Sequence, residues 1–157
     1  MSKVNLDETD KSVLRCIMAD PRSSIADIAR TLGVQRDTVT YRLERMEKRG
    51  LIQKYNVIVE PAALGCEVFM QVSIKLAPVS QERSDGFVEM LVAHPNVTHI
   101  ERLIGKYNYA VQMAAENIAA FDVALDEIKQ AGQGILTEID LANIIDGPKI
   151  NDFSGLV

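Results

Sequence analysis

The chain has few of the residues that mark secreted, membrane-spanning or metal-binding proteins. It has two cysteines in 157 residues, Cys16 and Cys66, too few for a disulfide framework or for a metal site of their own, so a reducing cytoplasm is the expected location. No apolar run approaches the ~18 residues that a membrane helix needs. The N-terminus becomes acidic before any apolar segment, unlike a signal peptide. We therefore expect a soluble globular protein with no membrane contact and no metal site.

Charge is distributed unevenly along the chain. The formal net charge is −5 overall, but residues 1–60 carry a net +2 and residues 61–157 a net −7. Residues 30–54 are the most basic stretch, with seven basic and three acidic side chains. A charge run alone more often marks a solvated helix face. A local cationic segment can nevertheless bind a polyanion, since the field matters within a Debye length of about 8–10 Å.

Three short amphipathic helices are predicted in the first fifty residues, from the spacing of the apolar positions. Their predicted ranges are 7–19, 24–32 and 36–49. Asp7 is the expected N-cap of the first helix, and Ser23 or Ser24 that of the second. Gly33 supplies the sharp turn between the second and third helices.

The third predicted helix has a polar, basic face opposite its apolar stripe. The side chains without an apolar role are Arg36, Asp37, Thr38, Thr40, Tyr41, Arg42 and Arg45. Residues of these types bond to phosphates and to base edges. Helical hairpins are common, so the pattern alone is weak evidence. A basic second helix in a chain that is acidic elsewhere favours a DNA-binding helix-turn-helix unit.

The rest of the chain is predicted to alternate strands and helices. After a strand over 51–60, the order is strand, helix, strand, strand, helix, strand. The predicted ranges are 66–76, 80–93, 97–104, 107–114, 118–130 and 135–145. This β-α-β-β-α-β order is ferredoxin-like, and such a domain leaves one sheet face open to self-association or to a ligand.

These patterns together predict an α+β protein with two domains. A helix-turn-helix domain is expected over 1–50 and a linking strand and connection over 51–65. A ferredoxin-like βαββαβ domain is expected over 66–157.

Over residues 5–150, the sequence resembles the Lrp/AsnC family of bacterial and archaeal transcription factors. The matching segments are Leu6-Asp7-x-x-Asp10 with Val13-Leu14, Asp20-x-Arg22-x-Ser24, Ile28-Ala29-x-x-Leu32-Gly33, Thr38-Val39-x-x-Arg42-Leu43, Met46-Glu47-x-x-Gly50-Leu51-Ile52, Val97 and Gly105-x-Tyr107-x-Tyr109. The resemblance is specific because order, spacing and both domains agree together.

The resemblance implies that the helix-turn-helix domain is of the winged type, and that the C-terminal domain is ACT-like and serves oligomerisation and effector binding. It implies an operator-binding regulator with helix three in the major groove of double-stranded DNA. It also implies that the strand over 51–60 links subunits, and that the sheets pair to form a homodimer that assembles into tetramers or octamers. An amino-acid effector is implied between dimers, near a Gly-x-Tyr-Asp turn. No cofactor is implied.

The implied DNA-binding residues are Gln35, Arg36, Asp37, Thr38, Thr40, Tyr41, Arg42, Arg45 and Lys54. We expect Arg36, Thr38, Thr40, Tyr41 and Arg42 in the groove, and Arg45, Lys48, Arg49 and Lys54 at phosphates or in solvent. On this basis Arg42→Ala is expected to weaken operator binding without unfolding the chain.

The implied effector turn is Gly105, Lys106, Tyr107 and Asn108. Two positions depart from the family pattern. Gln35 replaces the usual serine cap and is a poorer N-cap, so helix three either frays or is capped by another group. Asn108 replaces the acidic residue of the turn, which removes a charge-assisted bond to an α-ammonium group. We expect weaker binding of zwitterionic amino acids, a different effector or none; a hairpin turn without a ligand is the alternative.

Two other functions remain open at this stage. The first is an enzyme of the sirohaem decarboxylase type, which shares this layout. The chain has only two histidines, His94 and His99, and no G-x-S-x-G or GxxxxGK[ST] motif, so we expect no enzymatic activity. The second is a ligand sensor that has lost DNA binding, and the basic face of helix three argues against it.

Overall fold

A computed structural model describes residues 4–147 and 152–157, which form two compact units. The first unit contains the described residues up to Ile58 together with 152–157, and the second is Val59–Gly147. The C-terminal residues therefore group with the helical unit, whereas the sequence-based boundary placed them in the ferredoxin-like domain.

The first unit is built on three helices: α1 (Glu8–Ala19), α2 (Ile25–Leu32) and α3 (Arg36–Lys48). Asp7 caps α1 in a capping box with Asp10, and Ser24 caps α2. In both cases a side-chain oxygen accepts a backbone N–H that the helix leaves unpaired. These caps and helix bounds confirm the prediction to within about a residue.

A single apolar core holds the three helices together. Its fully buried members come from each helix and include Val13, Ile28, Val39 and Met46. Val157 packs against the same core, and the Arg15 guanidinium donates to the Val157 carbonyl oxygen. The C-terminal segment is thus held on the outside of the three-helix core.

The strand predicted over 51–60 does not form. After α3, Leu51 N–H and Ile52 N–H both donate to the Met46 carbonyl, and the segment then continues without strand pairing. Within the described residues, no strand lies beside it to complete a hydrogen-bond ladder. Because a strand needs such a partner for its backbone groups, the β-rich residues Val57, Ile58 and Val59 stay exposed.

The second unit is a four-stranded antiparallel sheet with two helices. The order along the chain is β1 (Val68–Leu76), α4 (Gln81–Ala93), β2 (Val97–Arg102), β3 (Tyr109–Ala115), α5 (Ile118–Ala131) and β4 (Leu136–Asn143). The strands are arranged β2-β3-β1-β4. This is the predicted ferredoxin-like βαββαβ domain, and the α+β class is confirmed.

One face of this sheet carries the core. Val72 and Ile74 of β1 lie opposite Val111 and Tyr109 of β3 and are buried beneath the helices. The alternate residues of β1 point away from this core, and Gln71 lies opposite Gln112 on the other face. The period-two alternation of β1 therefore separates a helix-covered face from an open one.

Candidate nucleic-acid interface and effector turn

The candidate DNA interface is the turn from α2 to α3 and the outer side of α3. Gly33 ends α2 with a φ of +66°, in the left-handed region that glycine adopts without a Cβ clash. A surface groove of about 610 Å³ lies at this turn, bordered by Arg30, Gln35, Arg36 and Asp37. The first turn of α3 thus lies beside an open concave surface.

The structure separates the nine predicted DNA-contacting residues into two groups. Five are exposed: Gln35, Arg36, Asp37, Tyr41 and Lys54. Four are half-buried: Thr38, Thr40, Arg42 and Arg45. Thr40 uses its hydroxyl within the helix, since Oγ1 donates to the Arg36 carbonyl at 3.2 Å. The exposed group has the freer access to an external ligand.

Three cations of this region are exposed and have no ion-pair partner among residues 4–147 and 152–157. They are Arg36, Arg49 and Lys54. Lys48 is also exposed, but its ammonium lies 3.3 Å from the Glu44 carboxylate. The positive charge of Lys48 is therefore partly balanced by Glu44, although a surface pair of this kind is weak.

Arg42 and Arg45 have a different environment. Both guanidinium groups bind the carboxylate of Asp10, with Arg42 Nη1 3.0 Å from Oδ1 and Arg45 Nη2 at Oδ2. Arg42 also pairs with Asp7. Asp10 has no solvent exposure, so these contacts satisfy a buried charge. Arg42 therefore joins α3 to α1, and we expect Arg42→Ala to lower the stability of the helical unit as well as to weaken operator binding.

The pKa shifts in this cluster agree with its geometry. The pKa of Asp7 is lowered from its usual value, first because the Asp10 N–H donates to its carboxylate and then because of the Arg42 guanidinium. The pKa of Arg42 is raised, first by its hydrogen bond to Asp7. Both shifts favour the charged forms of Asp7 and Arg42, in agreement with the ion pair between them.

Helix α3 begins without a side-chain cap. Gln35 occupies the N-cap position, and its side chain makes no capping hydrogen bond. Its carbonyl oxygen accepts from the N–H groups of Thr38 and Val39 at 3.1 and 3.3 Å. This agrees with the prediction that glutamine caps poorly.

The predicted effector turn carries its own ion pair. Lys106 Nζ lies 2.7 Å from Glu138 Oε1 and donates to the Tyr107 hydroxyl at 2.9 Å. That hydroxyl also lies 3.2 Å from Glu138 and 3.3 Å from Asp140. The pKa of Lys106 is raised by its bond to Glu138, and the pKa of Glu138 is lowered by the same bond. The carboxylate nearest the turn already has a cationic partner.

Asn108 has a structural role in this turn. Its side-chain Oδ1 accepts from the Leu76 N–H at 2.8 Å, and its own N–H donates to the Ile74 carbonyl at 2.8 Å. Its carbonyl accepts from the Leu103 N–H at 2.7 Å. Asn108 thus ties the turn to the end of β1 through an oxygen that aspartate also has.

The sequence analysis placed Asp10 in the first turn of a helix but did not predict that it binds Arg42 and Arg45 of α3. The signal was its spacing, because Asp10 lies four residues after Leu6 and three before Val13, on the apolar stripe of α1. An acidic residue on a stripe that becomes buried needs cationic partners. The identity of those partners, 32 and 35 residues further along the chain, depends on how α3 packs.

Other kinds of site find no support within the described residues. These residues contain no group of three or more histidine, cysteine, aspartate or glutamate side chains placed to hold a metal ion. Cys16 and Cys66 are free thiols. No helix among these residues is long and apolar enough to cross a membrane.

Two family models match the chain, one for each domain. A winged helix-turn-helix DNA-binding model matches residues 6–53, and a model of the Lrp/AsnC ligand-binding domain matches residues 68–142. The two matches follow the domain order of the structure and leave residues 54–67 between them unmatched.

Curated relatives and solved structures agree with these matches. The transcriptional regulator AzlB of Bacillus subtilis is 28% identical over 139 residues, covering 87% of this chain and 88% of its own. Escherichia coli AsnC superposes with a TM-score of 0.78 at 22% identity, covering 96% and 99% of the two chains. A Neisseria meningitidis transcriptional regulator, solved as a complex with L-Met, gives a TM-score of 0.81 at 15% identity over 93% and 94%. The chain belongs to the Lrp/AsnC family of DNA-binding transcriptional regulators.

Proposed function

We propose that this regulator binds duplex operator DNA as a homodimer or larger assembly, through the exposed side of α3. The observation that carries the proposal is the set of three exposed cations, Arg36, Arg49 and Lys54, that lack an ion-pair partner among the described residues. Unpaired cations at the surface can release DNA counterions without first breaking an internal bond. The groove at the α2–α3 turn adds an open surface beside Arg36.

The exposed residues have different chemical roles in this proposal. Arg36, Gln35 and Tyr41 lie on the first half of α3, where a recognition helix presents side chains to base edges. Arginine is the commonest reader of guanine, and glutamine pairs with adenine. Arg49 and Lys54 lie at and beyond the end of the helix, where phosphate contacts would fix its position on the duplex.

Self-association is part of the proposal because operator reading in this fold uses two helices. Two copies of α3 about 34–36 Å apart would read a pseudo-palindrome. The exposed, unpaired residues Val57, Ile58 and Val59 support a role for the 51–60 segment in linking copies of the chain, since strand pairing would satisfy its free backbone groups. The open sheet face offers a second surface for pairing.

We also propose that zwitterionic amino acids regulate this chain weakly or not at all. The Neisseria relative was solved with L-Met. In this chain, Lys106 Nζ already forms an ion pair with Glu138 Oε1 at 2.7 Å. Asn108 contributes a neutral oxygen that the Leu76 N–H already uses. A ligand ammonium group would have to displace the lysine from its carboxylate, and it would gain only a neutral hydrogen bond from the asparagine.

We place the activity in DNA binding and not in catalysis. The relatives are named transcriptional regulators, and the two histidines have contacts that account for them. His94 Nδ1 accepts the Asn96 N–H, and its Nε2 lies 3.1 Å from Glu127. His99 is paired with Glu101 at the surface. We propose a cytoplasmic location, where a regulator meets its operator.

The test is a selection of bound duplexes from a random DNA pool, run with and without the twenty amino acids. The expected result is enrichment of a pseudo-palindrome whose half-site centres are about 10 base pairs apart, with the same sequence and yield in both arms. No enrichment would contradict the DNA proposal. Enrichment that changes when an amino acid is added would contradict the effector proposal alone.

A further inference from the structure

We propose that Asp10 is a positioning residue for DNA reading, which fixes the rotation of α3 without touching DNA. This inference depends on the proposed use of α3 in DNA binding. It concerns a residue of α1 that has no solvent exposure and that no external ligand can reach.

Asp10 is the centre of a four-residue network. One carboxylate oxygen accepts Arg42 Nη1 at 3.0 Å, and the other accepts both Arg45 Nη2 and the Asp7 N–H, the last at 3.1 Å. Asp7 in turn accepts the Asp10 N–H at 2.8 Å and pairs with Arg42. Two negative and two positive groups balance each other, so the buried carboxylate has directional partners on both of its oxygens.

The network sets the rotation of α3 about its own axis. Arg42 and Arg45 are three residues apart and therefore lie on one side of the helix. Their common carboxylate belongs to α1, so this side must face α1. The apolar contacts of Val39 and Met46 hold α3 close to the core, but apolar attraction is non-directional. The ion pairs add the directional constraint.

The consequence for DNA reading follows from the position of the exposed residues. When the side of α3 with Arg42 and Arg45 faces α1, the proposed base-reading residues Arg36 and Tyr41 are exposed to solvent. Base readout needs bidentate geometry within hydrogen-bond distance. Phosphate attraction is much less sensitive to rotation, because a charge acts over about 8–10 Å. Loss of the network should therefore reduce specificity more than it reduces general affinity.

A purely electrostatic view predicts the opposite outcome for Asp10. Replacing Asp10 with Asn removes a negative charge from the DNA-binding unit and removes the ion pairs of Asp10 with Arg42 and Arg45, while Arg42 keeps its pair with Asp7. If Arg42 and Arg45 were simply held back from DNA, their release would strengthen binding to every duplex. The positioning view therefore predicts that Asp10→Asn lowers the affinity for the operator, and the electrostatic view predicts that it raises this affinity.

The test compares Asp10→Asn with wild type on two duplexes by fluorescence anisotropy. One is the duplex that wild-type protein selects from a random pool, and the other is a scrambled duplex of equal length. We expect operator affinity to fall at least about tenfold, the value of one bidentate base contact, while scrambled-duplex affinity changes less than about threefold. A loss of folded protein would lower both affinities by the same factor, so their ratio reports positioning.

Two further variants keep the test decisive. Asp7→Asn keeps an equally good N-cap and loses one ion pair to Arg42, so we expect the ratio to fall in the same direction by a smaller factor. Glu8→Gln removes a charge from an exposed residue of the same helix that pairs with Lys11, and it should leave the ratio unchanged. An unchanged or larger ratio in both Asp10→Asn and Asp7→Asn would overturn the inference. Failure of wild type to bind any duplex would instead refute the proposed function.

Discussion

Arg36 and Arg42 lie on the same helix, but their surroundings give them different roles. Arg36 is exposed and has no carboxylate within pairing distance among the described residues. Arg42 lies between the carboxylates of Asp7 and Asp10 and is largely covered. Arg36 can bind an external anion without breaking a bond, whereas Arg42 would first have to leave a buried charge.

The Arg42→Ala variant tests this division. Removal of Arg42 leaves the buried Asp10 carboxylate with Arg45 as its one guanidinium partner, and we expect the free energy of unfolding to fall by about 2–3 kcal/mol. Urea denaturation followed by far-UV circular dichroism measures this change. Arg36→Ala is the matched control, expected within about 0.5 kcal/mol of wild type. Equal stability of the two variants would show that Arg42 is not a structural residue.

The sequence alone could predict that one side of α3 is basic, but not which carboxylates its arginines bind within the chain. The basic side of α3 was evident from spacing, and Arg36, Tyr41 and Lys54 are exposed as expected. The pairing of Arg42 with Asp10 joins residues 32 positions apart. Such a contact depends on tertiary packing, which local periodicity does not encode.

At the scale of elements, the three N-terminal helices differ in how they begin. Asp7 and Ser24 each accept a backbone N–H of the helix that follows them. Gln35 does not, so the N–H groups of the first turn of α3 have no side-chain acceptor at the N-cap. The position of α3 therefore depends more on the apolar core and on the ion pairs of Arg42 and Arg45 with Asp10 than on its own cap.

The Gln35→Ser variant should therefore stabilise the helical unit. A serine side chain at the N-cap accepts an N–H of the first turn, and we expect the free energy of unfolding to rise by about 0.5–1 kcal/mol. Differential scanning calorimetry would detect the corresponding rise in Tm. Ser24→Ala, which removes an existing cap, should lower stability by about 1 kcal/mol. A Gln35→Ser variant that is no more stable than wild type would mean that another group already caps α3.

Helices and strands whose hydrogen-bond partners lie within the same chain could be predicted from their sequence patterns. The alternation in β1 and the spacing in α5 gave the right element types and bounds within about two residues. The 51–60 segment has the same β-rich composition but forms no strand. Its composition favours the extended β conformation, but a strand forms only where a neighbouring strand binds its backbone N–H and C=O groups.

Over the whole molecule, charge is separated between the first 60 residues and the rest of the chain. Residues 1–60 have a net charge of +2 and residues 61–157 one of −7. Repulsion between the acidic part and a phosphate backbone disfavours any approach of DNA except through the helical unit. The overall acidity therefore helps to orient the regulator, and the attraction must come from a few local cations.

The central claim is that the exposed cations of α3 and the residues after it hold the DNA backbone. The measurement that tests it most directly is the affinity for the selected duplex as a function of KCl concentration. Two phosphate-contacting cations, Arg49 and Lys54, in each of two subunits would give a slope of log K against log salt of about −4, and Lys54→Ala should make the slope shallower by about two. A slope near zero, or one that Lys54→Ala leaves unchanged, would contradict the account.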